Sequence, residues 1–250
     1  MTSTNMRFQD KVVIVTGAAG GIGAATARRF AAEGARLVLA DYDEAGAHAA
    51  ADALRKGGAR DVLALRCNVA AEAEVAATVD AAIARFGRLD VVVNNAGVMI
   101  FKPIEEHTQA DLLHVLQVDL GGAFWFTKQA FLKCKAGSAI VNIASIHAVE
   151  TTPLVAAYAA AKAALLSLTR SAAIEGKPKG IRVNAVLPGA IETPMLRENP
   201  AVKSGIETLR PGDVGQPENV ADAIAYLASD AATFVTGAGL RVDGGRLATL

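Results

Sequence analysis

The stretch "VVIVTGAAGGIGAATARRFAAEG", Val12–Gly34, decides the fold. It opens with "VVIVT" (12–16), a run apolar on both faces, and closes with "IGAATARRFAAEG", whose apolar residues recur at helical spacing. Between them "TGAAGGIG" sets Gly17, Gly20, Gly21 and Gly23 at the turn from strand to helix. A tight turn at positive φ accounts for one or two glycines but not for four. A backbone stripped of side chains at that point lets a pyrophosphate approach closely and rest on the N-terminus of the helix.

The same alternation runs outward along the chain. "RLVLA" (36–40), "VLALR" (62–66), "LDVVVNN" (89–95), "SAIVNIAS" (138–145), "IRVNAVLP" (181–188) and "GLRVDG" (239–244) read as further strands, most of them separated by one alanine-rich helix. Parallel strands covered on two sides read as continuous apolar runs, and strand–helix alternation demands right-handed crossovers. The expectation is an α/β fold: a single domain over 1–250, built as a doubly wound parallel sheet of about seven strands with helices on both faces. One long irregular segment, 189–217, carries Pro194, Pro200, Pro211 and Pro217 and is predicted to be a partly helical lid over the substrate site.

Composition narrows the function classes. With 25 basic and 25 acidic residues among 250, no overall field draws the chain to nucleic acid or to an anionic membrane. The two cysteines, Cys67 and Cys134, give neither a disulfide framework nor a metal-ligand cluster, which fits a reducing compartment. The polar opening "MTSTNMRFQDK" has no apolar signal core, and no apolar run reaches membrane-span length, so a cytoplasmic protein is expected. His48, His107, His114 and His147 have no metal spacing; the first three read as solvated surface residues, and no metal is expected. "TQAD" (108–111) reads as a capping box opening a long helix that ends near Cys134, and the aromatics of "AFWFTKQAF" (123–131) as core or subunit interface.

Two further features carry chemistry. Asp41 ends the second strand eighteen residues after Gly23, where a carboxylate binds both ribose hydroxyls of an adenosine and repels an added 2′-phosphate. Ala18 and Ala19 leave the middle of the glycine loop without a basic residue, so the cofactor reads as NAD and not NADP. Helix capping near Asp43 is the alternative role for Asp41. The second feature is "YAAAK", Tyr158–Lys162, which puts a phenol and an ammonium one helical turn apart, with only alanines between them. A free phenol is a poor base at neutral pH, and a neighbouring ammonium favours its phenolate.

Taken in order, "TGAAGGIG", "NNAG" (94–97), Ser145 at the end of the fifth strand, "YAAAK" and "PGAIET" (188–193) resemble the motifs of the short-chain dehydrogenase/reductase family along nearly the whole chain. The resemblance implies a Rossmann-like fold and an NAD-dependent oxidoreductase of a secondary alcohol or ketone, assembled as a homotetramer and acting on a small molecule. It makes Tyr158 the acid/base, Lys162 its helper, and Ser145 the group that binds the substrate oxygen. His147, two residues past Ser145, is a candidate substrate contact, alongside Ser145 and Tyr158. Asn94 would tie the cofactor strands together. Cofactor contacts are expected from Gly17, Gly20, Gly21, Ile22 and Gly23 of the loop, from Asp41, Asn68 and Val69, and from Asn95, Ala96 and Gly97. Tyr158, Lys162, Pro188, Gly189, Ile191 and Thr193 complete the expected set.

Two departures from the family pattern stand out. Asn68 occupies the position of a usual aspartate, although its side-chain carbonyl can still accept a hydrogen bond from adenine. Asp119 in "QVDLGGAF" occupies the position of the family's catalytic asparagine and is a candidate member of the catalytic group. Two alternatives accompany the dehydrogenase reading: a ketoreductase of thioester-linked or other carbonyls, and a non-catalytic NAD sensor. Tyr158, Lys162 and Ser145 together argue against the sensor, and the absence of a G-x-S-x-G elbow at Ser145 argues against a hydrolase.

Overall fold

The computed structural model describes residues 6–205, 208–209 and 212–248. Seven strands form one parallel sheet: β1 (Val12–Thr16), β2 (Arg36–Asp41), β3 (Val62–Arg66), β4 (Val91–Asn94), β5 (Ala139–Ile143), β6 (Arg182–Pro188) and, after two short strands described below, β9 (Gly239–Val242). Their order is β3-β2-β1-β4-β5-β6-β9. The chain therefore builds outward from β1 to β3 and then crosses back to lay β4 on the other side of β1. At that reversal the connections leave β1 and β4 in opposite directions, and a crevice opens beyond their carboxyl ends.

Helices cover both faces. They are α1 (Gly21–Ala32), α2 (Glu44–Lys56), α3 (Glu72–Phe86), α4 (Gln109–Leu116), α5 (Gly122–Lys133) and α6 (Ala156–Gly176), with α9 (Pro217–Ala228) near the end of the chain. Two apolar clusters lie on opposite sides of the sheet. One gathers Val13, Val15, Phe30, Leu37 and Ile224; the other gathers Val12, Ile14, Val38, Phe126 and Ile140. Consecutive residues of β1 thus face opposite cores, which is why its run has no polar alternation.

The predicted long helix from 108 is interrupted. Thr108 opens α4 with the expected capping box, its Oγ1 accepting from the Asp111 N–H at 3.1 Å while Asp111 Oδ2 accepts from the Thr108 N–H at 3.0 Å. Between α4 and α5 the backbone widens into one π-helical turn, Gln117–Gly121, which contains Asp119. Such turns often mark functional sites. The segment 189–217 is partly helical, with β7 (Ala190–Ile191), α7 (Pro194–Glu198), α8 (Pro200–Lys203) and β8 (Val214–Gly215), β7 pairing with β8; Pro211 lies outside the described residues.

One surface expectation needs correction. Both ring nitrogens of His107 are buried, so it is no solvated surface histidine, whereas His48 and His114 are exposed. Leu165 is fully buried on the inner face of α6, and Trp125 and Phe131 of the aromatic stretch pack against the α3–α5 side of the core. The apolar residues that do stand in solvent on these helices are Phe124, Leu132 and Ile174.

Candidate active site

Each glycine of the loop has its own task. Gly17 and Gly21 take positive φ, 63° and 51°. A Cβ on Gly23 would sit 2.0 Å from the Gly17 carbonyl oxygen, so Gly23 seats α1 against the end of β1. Gly20 is the opposite case: a Cβ there would meet nothing within 4 Å, and as the N-cap of α1 it supplies no side-chain hydrogen bond. With no acidic residue in its first turn either, the α1 N-terminus presents bare backbone to the crevice, as a bound phosphate requires.

Asn95 locks this loop in place. Its Nδ2 donates to the carbonyls of Thr16 at 2.9 Å and Gly17 at 3.1 Å, and Thr16 Oγ1 accepts from the backbone N–H groups of Asn95 and Ala96. Asn94, expected to tie strands together, faces away from the loop. Its Nδ2 donates to Asn142 Oδ1 at 2.8 Å, and Asn142 Nδ2 donates to Thr169 Oγ1 at 2.9 Å, which pins α6 to β4 and β5. The helix bearing Tyr158 and Lys162 is thereby registered against the sheet.

Asp41 holds the rim of the loop: its Oδ2 accepts from the Ala19 N–H at 2.9 Å and its Oδ1 from the Asp43 N–H at 3.0 Å. The cap of α2 is Asp43, which accepts from the Gly46 N–H, so the capping alternative for Asp41 falls away. Asn68 Oδ1 accepts from the Ala70 N–H at 3.1 Å, and Val69 packs on Gly122 of α5.

Gly17, Gly20, Gly21 and Ile22, Asn95 to Gly97, Ser145, His147, Tyr158, Lys162, Pro188, Gly189, Ile191 and Thr193 all line one cavity of about 310 Å³. Asp41, Asn68, Val69 and Gly23 do not line it. Met99 and Met195 do, as do Ile146, Leu196, Asn199 and Arg246, which sequence reasoning missed. Arg246 follows the glycine pair after β9, in a turn with no motif to mark it.

At the inner end of the cavity α6 brings Tyr158 and Lys162 to the carboxyl end of β5. Lys162 Nζ donates to the Ile143 carbonyl at 3.0 Å, lies 5.4 Å from the centre of the Tyr158 ring, and stands 3.1 Å from Asp119 Oδ2. Asp119 Oδ1 accepts from the Val98 N–H at 2.8 Å. Asp119 does not line the cavity but backs Lys162 from behind. Gly97 is required at this point, since a Cβ would come 3.1 Å from Asp119 Oδ2 and 3.2 Å from Lys162 Nζ. Ser145 caps a short 3-10 turn, its Oγ accepting from the His147 N–H at 3.1 Å, and the His147 ring meets that of Tyr158 edge-on at 6.1 Å.

Burial governs the electrostatics. It raises the Tyr158 pKa; Lys162 pulls it down, Asp119 pushes it up, and a hydrogen bond with Ser145 favours the phenolate, leaving the phenol above its ordinary value. The expected lowering by Lys162 is therefore present but outweighed. Burial alone would lower the Lys162 pKa, yet Asp119 and then Tyr158 raise it overall, so the ammonium is secured. Burial lifts the Asp119 carboxyl above the usual range, against the pull of Lys162 and the Val98 N–H. Among the described residues no three His, Cys, Asp or Glu side chains gather to hold a metal, and no helix is long and apolar enough to cross a membrane.

The chain is similar to several known proteins. Residues 17–246 match the family model described as enoyl-(acyl carrier protein) reductase. The chain is 46% identical over 243 residues to the cis-4-hydroxycyclohexanecarboxylate dehydrogenase of Sinomonas cyclohexanicum, covering 95% of this chain and 97% of that one. It is 38% identical to the meso-2,3-butanediol dehydrogenase of Serratia marcescens, covering 98% and 97%. Among solved structures, the 3-ketoacyl-(acyl-carrier-protein) reductase of Brucella melitensis complexed with NADH superimposes with a TM-score of 0.85 at 35% identity, covering 95% of this chain and 98% of that one.

Proposed function

The chain belongs to the short-chain dehydrogenase/reductase family of oxidoreductases, and from that premise we propose that it transfers hydride between NAD and a secondary alcohol or the corresponding ketone, with Tyr158 as the acid/base. One observation carries this reading: Ser145, Tyr158 and Lys162 meet in the same cavity as the bare glycine loop. The residues fit a dinucleotide. Gly20 and Gly21 leave backbone for the pyrophosphate, Asp41 stands at the loop rim for the adenosine ribose, and Ile191 and Thr193 line the same cavity, Thr193 beside Gly21.

When bound, NAD supplies the acceptor for hydride. The work of the chain is proton transfer and placement. Ser145 Oγ donates to the substrate oxygen and stabilises the charge it develops. Tyr158 takes the hydroxyl proton in oxidation and returns it in reduction. Lys162 stays cationic because Asp119 lies behind it, and its charge lowers the cost of the phenolate in a dry site. Met99, Ile146, Met195 and Leu196 give the cavity an apolar wall.

The relatives suggest a cyclic or vicinal secondary alcohol, because the named substrates include a hydroxycyclohexanecarboxylate and a butanediol. A panel of such alcohols with NAD, read at the reduced nicotinamide, tests the reading; absence of turnover across the panel, with binding of NAD intact, would favour the sensor. The ketoreductase of thioester-linked carbonyls is the second reading, supported by the Brucella neighbour. It requires faster turnover of an acetoacetyl thioester than of any free alcohol or ketone. We further propose a homotetramer, built on the apolar residues that α5 and α6 leave in solvent, with Leu132 at 68% and Ile174 at 75% exposure.

A further inference from the structure

Where β2 and β3 end, a cation stands beside Asp41 and is not paired with it. Arg66 closes β3 as Asp41 closes β2, and the two are register partners, so their side chains leave the same face of neighbouring strands. Asp41 nevertheless makes no ion pair among the described residues; its two oxygens accept the Ala19 and Asp43 N–H groups. Arg66 turns elsewhere. Its Nη1 donates to Glu74 Oε2 at 2.9 Å, and its guanidinium carbon lies over the Tyr42 ring, 4.9 Å from the ring centre.

Glu74 is itself held in place. It lies in the first turn of α3, where the helix favours a carboxylate, and the same Oε2 accepts from the Asn68 N–H at 2.8 Å. A lone exposed ion pair would hold an arginine only weakly. Here the face of Tyr42 adds a second contact to the guanidinium, and the Asn68 N–H fixes its acceptor to the turn that follows β3.

The consequence is one of charge. Each carboxylate oxygen has two lone pairs, so Asp41 can accept from ribose hydroxyls in addition to its backbone donors, provided no cation takes it. Arg66 is placed to take it, or to meet a 2′-phosphate at the same point with its planar fork of donors. Paired with Glu74, it is close to neutral in sum and does neither.

Resting on the NAD reading above, we propose that Glu74 is a positioning residue for cofactor choice: by holding Arg66 it keeps Asp41 for the two ribose hydroxyls and withholds the guanidinium from a 2′-phosphate. Discrimination against NADP is then set by two carboxylates, Asp41 by direct repulsion and Glu74 through Arg66.

Calorimetric titration with NAD and with NADP reads this without turnover. Glu74→Gln keeps an oxygen for the Asn68 N–H and removes the charge, and it is expected to lower the ratio of the NADP Kd to the NAD Kd by about tenfold. In a chain that also carries Arg66→Gln, the same substitution should change the ratio by no more than about twofold, as befits a distant charge screened by salt. A purely structural role for Glu74 would weaken both dinucleotides alike and leave the ratio where it was, which overturns the proposal. So does an equal fall with and without Arg66, because Glu74 would then be acting on the phosphate directly. Failure of every one of these proteins to bind either dinucleotide refutes the NAD reading and the proposal with it; binding of NAD with wild-type selectivity in Glu74→Gln refutes the proposal alone.

Discussion

Oδ2 of Asp119 stands 3.1 Å from Nζ of Lys162, with both side chains almost wholly removed from solvent. A buried ion pair gains its attraction only after a large desolvation cost, so such pairs are weak evidence for stability in themselves. This one has a task beyond stability. The π-helical turn aims the carboxylate inward, the Val98 N–H holds its other oxygen, and Lys162 is thereby kept both cationic and in place beneath Tyr158.

The first prediction follows from the charge on Asp119, which raises the Tyr158 pKa. Oxidation needs Tyr158 able to accept a proton, so its rate falls off on the acid side of that pKa. Asp119→Asn removes the charge, keeps the size, and should lower the Tyr158 pKa, moving the acidic limb of the kcat/KM profile for alcohol oxidation to lower pH. Activity should persist, because Lys162 retains the Ile143 carbonyl. A profile superimposable on wild type would mean that Asp119 is protonated in the working enzyme. Loss of activity at every pH would mean that the carboxylate carries a proton itself.

Tyr158→Phe removes the proton-transfer group and leaves the buried ring. Turnover should fall by at least about a hundredfold, at the lower end of what a positioned acid/base contributes, while the Kd for NAD stays within a few-fold of wild type. Steady-state kinetics and cofactor titration check the two halves separately. Residual activity within tenfold of wild type would transfer the acid/base role to another residue, with His147, whose ring meets that of Tyr158, a candidate.

The cofactor preference tests Asp41. A 2′-phosphate placed beside this carboxylate meets a like charge, and no basic side chain lies in the loop to answer it. A preference for NAD over NADP of at least about a hundredfold in kcat/KM, roughly 2.8 kcal/mol, is expected. Asp41→Ala should narrow it, with some loss toward NAD as well, since the Ala19 N–H loses its acceptor. Equal use of both cofactors by wild type would end the assignment.

Much of this was legible in the sequence because the governing physics is local or periodic. Strand runs such as "VVIVT" and "VLALR" coincide with β1 and β3 to the residue, and "YAAAK" lies where helical spacing puts it, since burial on both faces and one-turn periodicity leave their mark on consecutive residues. What escaped depends on contacts between distant segments. Whether Asn94 or Asn95 turns toward the glycine loop is settled by the side of β4 on which each falls, and neighbouring asparagines do not reveal that. Arg246 reaches the cavity only because β9 pairs with β6 and brings the C-terminal turn over Gly189. The direction of the Asp119 side chain hung on a π-helical turn that the helical period of "QVDLGGAF" did not announce.

The proposed tetramer makes a prediction in mass. Phe124, Leu132 and Ile174 leave substantial apolar side-chain surface in water on α5 and α6. Covering it with the same surface of a second copy removes that cost. Light scattering at micromolar protein should give four times the 25.7 kDa chain mass, and Leu132→Glu with Ile174→Glu should lower the assembly state. A monomer in wild type would refute the assembly.

Two alanine substitutions in the glycine loop should separate folding from binding. Gly20 has an extended backbone, φ −159°, which any residue adopts, and its added Cβ meets no protein atom within 4 Å. Gly20→Ala should therefore change stability by no more than about 1 kcal/mol, because the weaker N-cap is offset by a less flexible unfolded chain. It should nevertheless weaken NAD binding by about tenfold or more, roughly 1.4 kcal/mol, since the methyl group enters the space the pyrophosphate needs. Gly23→Ala is the converse. Its Cβ would stand 2.0 Å from the Gly17 carbonyl and 2.7 Å from Asn95 Nδ2, so α1 must move off β1, at a cost of about 1–3 kcal/mol or more. Thermal unfolding with and without NAD distinguishes them: Gly20→Ala should keep the apo Tm and lose most of the shift produced by cofactor, whereas Gly23→Ala should lower the apo Tm itself. A Gly20→Ala protein with wild-type cofactor affinity would show that the phosphates lie elsewhere than on the N-terminus of α1.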